Sequence, residues 1–151
     1  MARQLKSKIQ LSTKMIELYG EVSACGAEGY FFEMGKAKYG IKAYYDFQTA
    51  IDSFNRQALA AKNGVGPKVR NFLVIKRKTK RPIFGYETEK AKQVTEDCPV
   101  WKKQSNNLRK KLVSLDMDGD FHPLNCGVIG DKLVAVDFGN LSYDCSVNRI
   151  S

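Results

Sequence analysis

The chain has 151 residues, 43% of them hydrophobic, with 25 lysines and arginines against 16 acidic residues and a formal net charge of +9. That length and apolar content predict one globular domain with its own core, and no uncharged apolar run reaches the roughly 18 residues of a membrane-spanning helix. The surplus of positive charge favours polyanions such as nucleotides, nucleic acid, anionic proteins or lipid head groups, without choosing among them.

Cys25, Cys98, Cys126 and Cys145 are widely separated and show no paired metal spacing, and His122 is the only histidine, so a zinc site is not expected. The basic, polar start Met1-Ala2-Arg3-Gln4-Leu5-Lys6 lacks the apolar core of a secretion signal, and the cytoplasm is the expected location. Internal repeats and low-complexity tracts are absent.

Residues 4–19 carry a mixed pattern around Leu5, Ile9, Leu11, Met15, Ile16 and Leu18, which predicts a helix running into a first strand near residues 16–23. Ala24-Cys25-Gly26-Ala27-Glu28-Gly29-Tyr30-Phe31 follows as a glycine-bearing turn, where the missing Cβ atoms allow close backbone approach; an ordinary hairpin turn has the same composition. Tyr39 to Tyr44 reads as a strand with Lys42 between Ile41 and Ala43. Thr49 to Asn63 reads as a helix with Ile51, Phe54, Ala58 and Ala61 on one face and Asn63-Gly64 as its stop. Residues 70–75 and 82–88 predict a hairpin. The basic run Lys76 to Arg81 at its tip is a solvated turn or a nucleic-acid or localisation patch. Pro99 to Leu115 is the clearest helix, with Trp101, Ser105, Leu108, Leu112 and Leu115 on one face and Lys102, Lys103, Arg109, Lys110 and Lys111 on the other. Its apolar stripe needs a cover, for which the strands near 128–136 are the expected partner.

Chemistry concentrates near the end of the chain. Asp118-Gly119-Asp120-Phe121-His122-Pro123-Leu124-Asn125 precedes a turn and short strand at 131–136, and Asp137-Phe138-Gly139 follows. Each piece alone is compatible with a solvated turn. Jointly, an Asp, an Asn five positions later, a hairpin pattern and Asp-Phe-Gly resemble the catalytic and metal-binding loops of protein-kinase-like folds. The likeness is greatest to the bacterial, aminoglycoside-phosphotransferase-like branch, where Asp-Leu-His-Pro-x-Asn is common.

That resemblance implies an α+β, protein-kinase-like fold: an antiparallel N-lobe sheet with an αC-like helix, and a heavily truncated C-lobe of one main helix and the catalytic-loop hairpin. The whole chain, 1–151, would be one minimal kinase-like domain, with residues 16–90 as nucleotide lobe and 91–151 as reduced catalytic lobe. It further implies ATP and Mg²⁺ as cofactors. Asp120 would be the base that accepts the hydroxyl proton, Asn125 and Asp137 the metal ligands, and Lys42 the clamp on the α/β-phosphates. Ala24 stands where the first glycine of the phosphate cover is usual, with Gly26 and Gly29 completing it. Glu87 and Glu89 fall where a hinge would offer backbone groups to adenine.

The family's pattern is departed from at residue 57, where Gln57 stands in place of the helix Glu that pairs with the strand Lys; Asp52 is a poorly placed substitute. The sequence runs to Ser151, twelve residues past Gly139, and within this resemblance neither an activation segment nor a peptide platform is expected. Minimal kinases of this kind occur among phage proteins and bacterial effectors, and the resemblance implies such an origin. The expected function is transfer of the γ-phosphoryl group to a hydroxyl acceptor on a protein. The alternatives are a pseudokinase that acts by binding a host or partner protein, and a basic nucleic-acid-binding module; no aromatic-interleaved platform supports the latter. Incomplete cover of the Trp101 stripe would favour a homodimer or a protein partner.

Overall fold

In the computed structural model, residues 14–17, 24–25, 29–76, 81–119 and 121–136 are described. Their elements are β1 (Lys14–Glu17), β2 (Ala24–Cys25), β3 (Gly29–Phe32), β4 (Tyr39–Tyr44), α1 (Phe47–Lys62), β5 (Val69–Lys76), β6 (Ile83–Glu89), β7 (Lys92–Gln93), α2 (Pro99–Ser114), a 3₁₀ turn (Pro123–Asn125), β8 (Cys126–Ile129) and β9 (Lys132–Ala135). The architecture is α+β. A six-stranded sheet runs β1-β5-β6-β4-β3-β2, antiparallel except for β1, which lies parallel to β5; β7, β8 and β9 form a second, antiparallel sheet.

The short strands β8 and β9 are joined by a two-residue turn in which Gly130 has φ +65°. A positive φ is open to glycine without steric cost, so the turn reverses the chain directly. The long hairpin β5–β6 carries a bulge at Asn71, which adopts φ 50° between Arg70 and Phe72. Glu87 Oε1 accepts hydrogen bonds from Arg70 Nε and Asn71 Nδ2, and so anchors the bulge from the facing strand.

Helix α1 begins at Phe47, two residues before the start read from periodicity, because Asp46 caps it: its carboxylate accepts from the Thr49 backbone N–H at 2.9 Å and from the Thr49 hydroxyl at 3.0 Å. The helix packs on β4, β5 and β6 around Tyr44, Ala50, Ile51, Phe72 and Tyr86, with Phe47 and Phe54 set edge-on to neighbouring rings. Its buried residues are Ala50, Ile51, Ser53, Gln57 and Ala60. The buried stripe is therefore rotated from the expected Ile51, Phe54, Ala58 and Ala61, since two polar side chains turn inward where hydroxyl and amide partners await them.

Helix α2 starts at Pro99 with Cys98 as its N-cap residue. Leu108 and Leu112 are buried against Cys126, Leu133 and Ala135 of the β8–β9 hairpin, and Ala60 and Val65 join the same cluster from the end of α1. The Ala135 N–H donates to the Val65 carbonyl at 2.9 Å, tying the second sheet to the loop after α1. Trp101 stacks on Phe121 with ring centroids 5.3 Å apart, and Trp101 and Leu115 are partly buried. The expected hairpin cover is thus present, and the leucines of the stripe form no exposed patch.

The first strand begins earlier than expected: Lys14 and Met15, placed by pattern in the helix that runs into it, join Ile16 and Glu17 in strand β1, in register with Leu73 to Lys76. Hydrogen bonding to the otherwise open edge of β5 outweighs a helical spacing of only a few apolar residues. The remainder of that segment lies outside the described residues. Among the described residues no helix is long and apolar enough to cross a membrane.

Candidate functional site

Lys42 occupies the middle of β4, opposite Phe31 of β3 and Tyr86 of β6. Alternation along the strand sends Ile41 and Ala43 to one face and Lys42 and Tyr44 to the face beneath α1. The strands are held close here by Gly85: a Cβ at that position would stand 2.0 Å from the Lys42 carbonyl oxygen and 2.8 Å from Ala43 Cα. Only a residue without a side chain fits that crossing.

The Lys42 ammonium donates to Gln57 Oε1 at 3.2 Å and to the carbonyl oxygen of Val136. Gln57 is fully buried. Its Oε1 also accepts from the Tyr86 hydroxyl at 3.0 Å, while its Nε2 donates to Thr88 Oγ1 at 2.6 Å and to the Pro67 carbonyl at 3.3 Å. One turn earlier, Ser53 Oγ lies 2.7 Å from both the Tyr44 and the Tyr86 hydroxyls. A continuous buried polar chain therefore joins Tyr44, Ser53, Tyr86, Gln57 and Lys42. Asp52 stands apart from it, exposed and bonded to Gln48.

On the other side of Lys42, the Val136 N–H donates to the Asn125 carbonyl at 2.9 Å. Asn125 is buried at the end of the 3₁₀ turn, its Nδ2 is 3.2 Å from His122 Nε2, and its N–H donates to the His122 carbonyl at 2.9 Å. Pro123 at the head of this turn has no N–H to satisfy there. Gly127, next along β8, is a second close approach, since a Cβ would lie 2.7 Å from Ala91 Cβ and 3.0 Å from the Lys92 carbonyl. The turn, the β8–β9 hairpin and the segment after β6 are thereby drawn to one place.

The structure thus brings Lys42, Gln57 and Asn125 together through Val136, the residue before Asp137. Asp137 itself, Asp120 and Gly26 lie outside the described residues. Ala24 and Gly29 are described by backbone alone: they belong to the β2–β3 hairpin, Ala24 opposite Phe31 and Gly29 opposite Tyr44 of β4. Glu87 and Glu89 lie within β6, paired to Ile41 and Tyr39 of β4. The Glu87 carboxylate serves the bulge, and Glu89 is buried, 3.5 Å from Lys38 Nζ and accepting from the Lys68 N–H at 3.4 Å. The chain leaves the strand only at Lys90. Among the described residues no three His, Cys, Asp or Glu side chains gather as a metal site.

Sequence reasoning missed Tyr44, Ser53, Pro67, Tyr86 and Thr88 as supports of the site. A signal was available in spacing: Tyr86 and Thr88 share one strand face at i, i+2, and Ser53 and Gln57 share one helix face at i, i+4. No family model matches the chain, and no curated protein matches it in sequence.

Proposed function

We propose that the chain is an ATP- and Mg²⁺-dependent phosphotransferase of protein-kinase-like architecture, carrying the γ-phosphoryl group to a hydroxyl acceptor on a protein. The observation that carries the reading is the convergence on Val136. Lys42, 94 residues away in sequence, reaches its carbonyl, and Asn125 accepts its N–H. The order of elements also supports it: a glycine-bearing hairpin, the lysine strand, a helix whose amide meets that lysine, a long hairpin, and then a turn and short hairpin carrying Asn125 and leading to Asp137.

The residues present fit a nucleotide phosphate. A partly buried ammonium is screened less than a surface one, and the Gln57 and Val136 oxygens orient it towards the chain that leads to Asp137. In this reading Lys42 donates to the α/β-phosphate oxygens, Asn125 and Asp137 supply oxygen ligands for the metal, and Asp120 accepts the acceptor's hydroxyl proton. Bound Mg²⁺ supplies neutralisation of the phosphate charge. The chain's own contribution is positioning and preorganised charge, which needs few groups but needs them rigidly supported. The adenine would meet backbone in the segment from Glu87 to Lys90, at the end of β6.

The test is a thermal-stability titration with ATP and Mg²⁺, followed by incubation with γ-labelled ATP and candidate proteins. Stabilisation with label transfer is expected. Stabilisation without transfer would replace this reading by the pseudokinase one, and the absence of both would overturn the nucleotide reading.

A further inference from the structure

We infer that Gln57 is required in this site as an amide, not tolerated as a weakened glutamate, and that it fastens α1 to the sheet so that Lys42 is held in place before any nucleotide arrives. The regulatory meaning of this rests on the phosphotransferase reading; its geometry rests on hydrogen bonds alone.

A side-chain amide offers two lone pairs on oxygen and two protons on nitrogen. Gln57 uses all four: Oε1 accepts from Lys42 and Tyr86, and Nε2 donates to Thr88 and Pro67. The partners dictate this orientation. An ammonium can only donate, and a proline carbonyl can only accept. The Thr88 hydroxyl, 3.3 Å from the Glu89 carbonyl, accepts from Nε2 at 2.6 Å. Tyr86 gives its single proton to Gln57, which makes Ser53 the donor to Tyr86 and Tyr44 the donor to Ser53. The chain of protons runs one way and ends on Oε1, opposite the lysine.

A carboxylate at position 57 would suit Lys42, Tyr86 and a Thr88 hydroxyl turned to donate, but it would set an acceptor against the Pro67 carbonyl and take the threonine proton from the Glu89 carbonyl. A protonated carboxyl would restore the donor to Pro67 but bring no charge to Lys42. Burying a carboxylate at this fully buried position and facing it to the Pro67 carbonyl thus costs more than its attraction to Lys42 returns.

The same bonds restrain the helix. Ser53 and Gln57 are 1% and 0% exposed, one turn apart, and join α1 to β4, β6 and the loop at Pro67. Swinging α1 outward would strip polar partners from two successive turns and expose Ala50, Ile51 and Ala60 with them. An exposed ion pair could separate into water; this network cannot. The Lys42 clamp is therefore set by folding, and α1 does not act as its switch.

Three measurements on the full chain test this: hydrogen–deuterium exchange over residues 47–62, with and without Mg²⁺ and AMP-PNP; melting of Gln57→Glu; and the Nζ resonance of Lys42 in the parent, Gln57→Glu and Thr88→Val. In the unliganded parent, amides from Ser53 to Ala60 are expected to exchange as slowly as the core of β4 and β6, and nucleotide should change them by less than about threefold. Gln57→Glu should melt roughly 3–8 °C lower. Thr88→Val, although it does not touch Lys42, should shift or broaden the Lys42 signal, a response that a merely structural threonine would not give. Protection of α1 rising about tenfold or more on nucleotide addition would overturn the inference. So would Gln57→Glu melting at or above the parent, or an unmoved Lys42 signal in Thr88→Val. If AMP-PNP does not bind, the phosphotransferase reading falls, while the unliganded exchange, the melting and the Lys42 resonance still decide the role of Gln57.

Discussion

At Gly85 the backbones of β4 and β6 pass so closely that one methyl group cannot be added. Gly85→Ala would place Cβ 2.0 Å from a backbone oxygen, which cannot rotate away as a side chain could. The expected cost is about 3 kcal/mol or more, seen as a melting point lowered by roughly 10 °C. A variant that melts with the parent would show that the strands can separate beneath Lys42. Two cysteines make a second residue-scale contrast. The Cys98 thiol is held below its ordinary value, first by the Thr95 backbone N–H and then by the Thr95 hydroxyl, whereas burial pushes Cys126 up to about 12. At pH 8 an alkylating reagent should therefore label Cys98 well before Cys126, read by peptide mass spectrometry; equal labelling would contradict the fold around β8. The sign of the pH effect follows. With its folded value raised above an unfolded value near 9.0, Cys126 keeps its proton in the folded state while the unfolded chain loses it. Stability is fully present below pH 9 and falls as pH rises from there towards 12, by at most about 1.4 kcal/mol per pH unit from this group. Denaturant melts of Cys126→Ala should show a flatter alkaline decline than the parent.

At the scale of elements, α1 shows where sequence reading succeeds and where it stops. Its existence and its end at Asn63-Gly64 were legible from apolar spacing and a stop signal. Its start was not, because Asp46 and Thr49 form a cap that hydrophobic periodicity ignores. Its inward face was misjudged for a related reason: burial of Ser53 and Gln57 depends on hydroxyls delivered by β4 and β6, and no local pattern in the helix announces them. The hairpins β5–β6 and β8–β9 and helix α2 were legible because their alternation or 3.6-residue period is strong. Strand β1 was legible only in part, at Ile16 and Glu17, since its start at Lys14 is decided by the edge of β5, far away in sequence. Within the site, the meeting of Lys42 with Gln57 was anticipated only through the resemblance to protein-kinase-like folds, while the backbone links through Val136 had no residue signature. Ser53→Ala tests the polar fastening directly. It removes both 2.7 Å contacts without touching Lys42 or Gln57, and should cost about 1–3 kcal/mol in chemical denaturation. A loss below about 0.5 kcal/mol would mean the tyrosine hydroxyls are satisfied without it.

At the scale of the molecule, the two described sheets and the chain after α1 meet where Val65, Ala135, Val136 and Asn125 exchange backbone bonds. That junction is what places the strand lysine beside the loop leading to Asp137. If the proposed chemistry holds, Asp137→Asn should keep the parent's melting point but lose Mg²⁺-dependent ATP binding or transfer, because the amide brings no charge to a dication. An unchanged metal dependence in that variant would remove Asp137 from the site. The central claim is that Lys42 is a phosphate clamp, and the most direct measurement is calorimetric titration of ATP·Mg²⁺ into the parent and Lys42→Met. Methionine keeps most of the stem and removes only the ammonium. Binding by the parent is expected, with at least about tenfold weaker binding by the folded variant, the loss of one charge-assisted contact of about 1.5–3 kcal/mol. Equal affinities in the two proteins, or no binding by the parent, would contradict it.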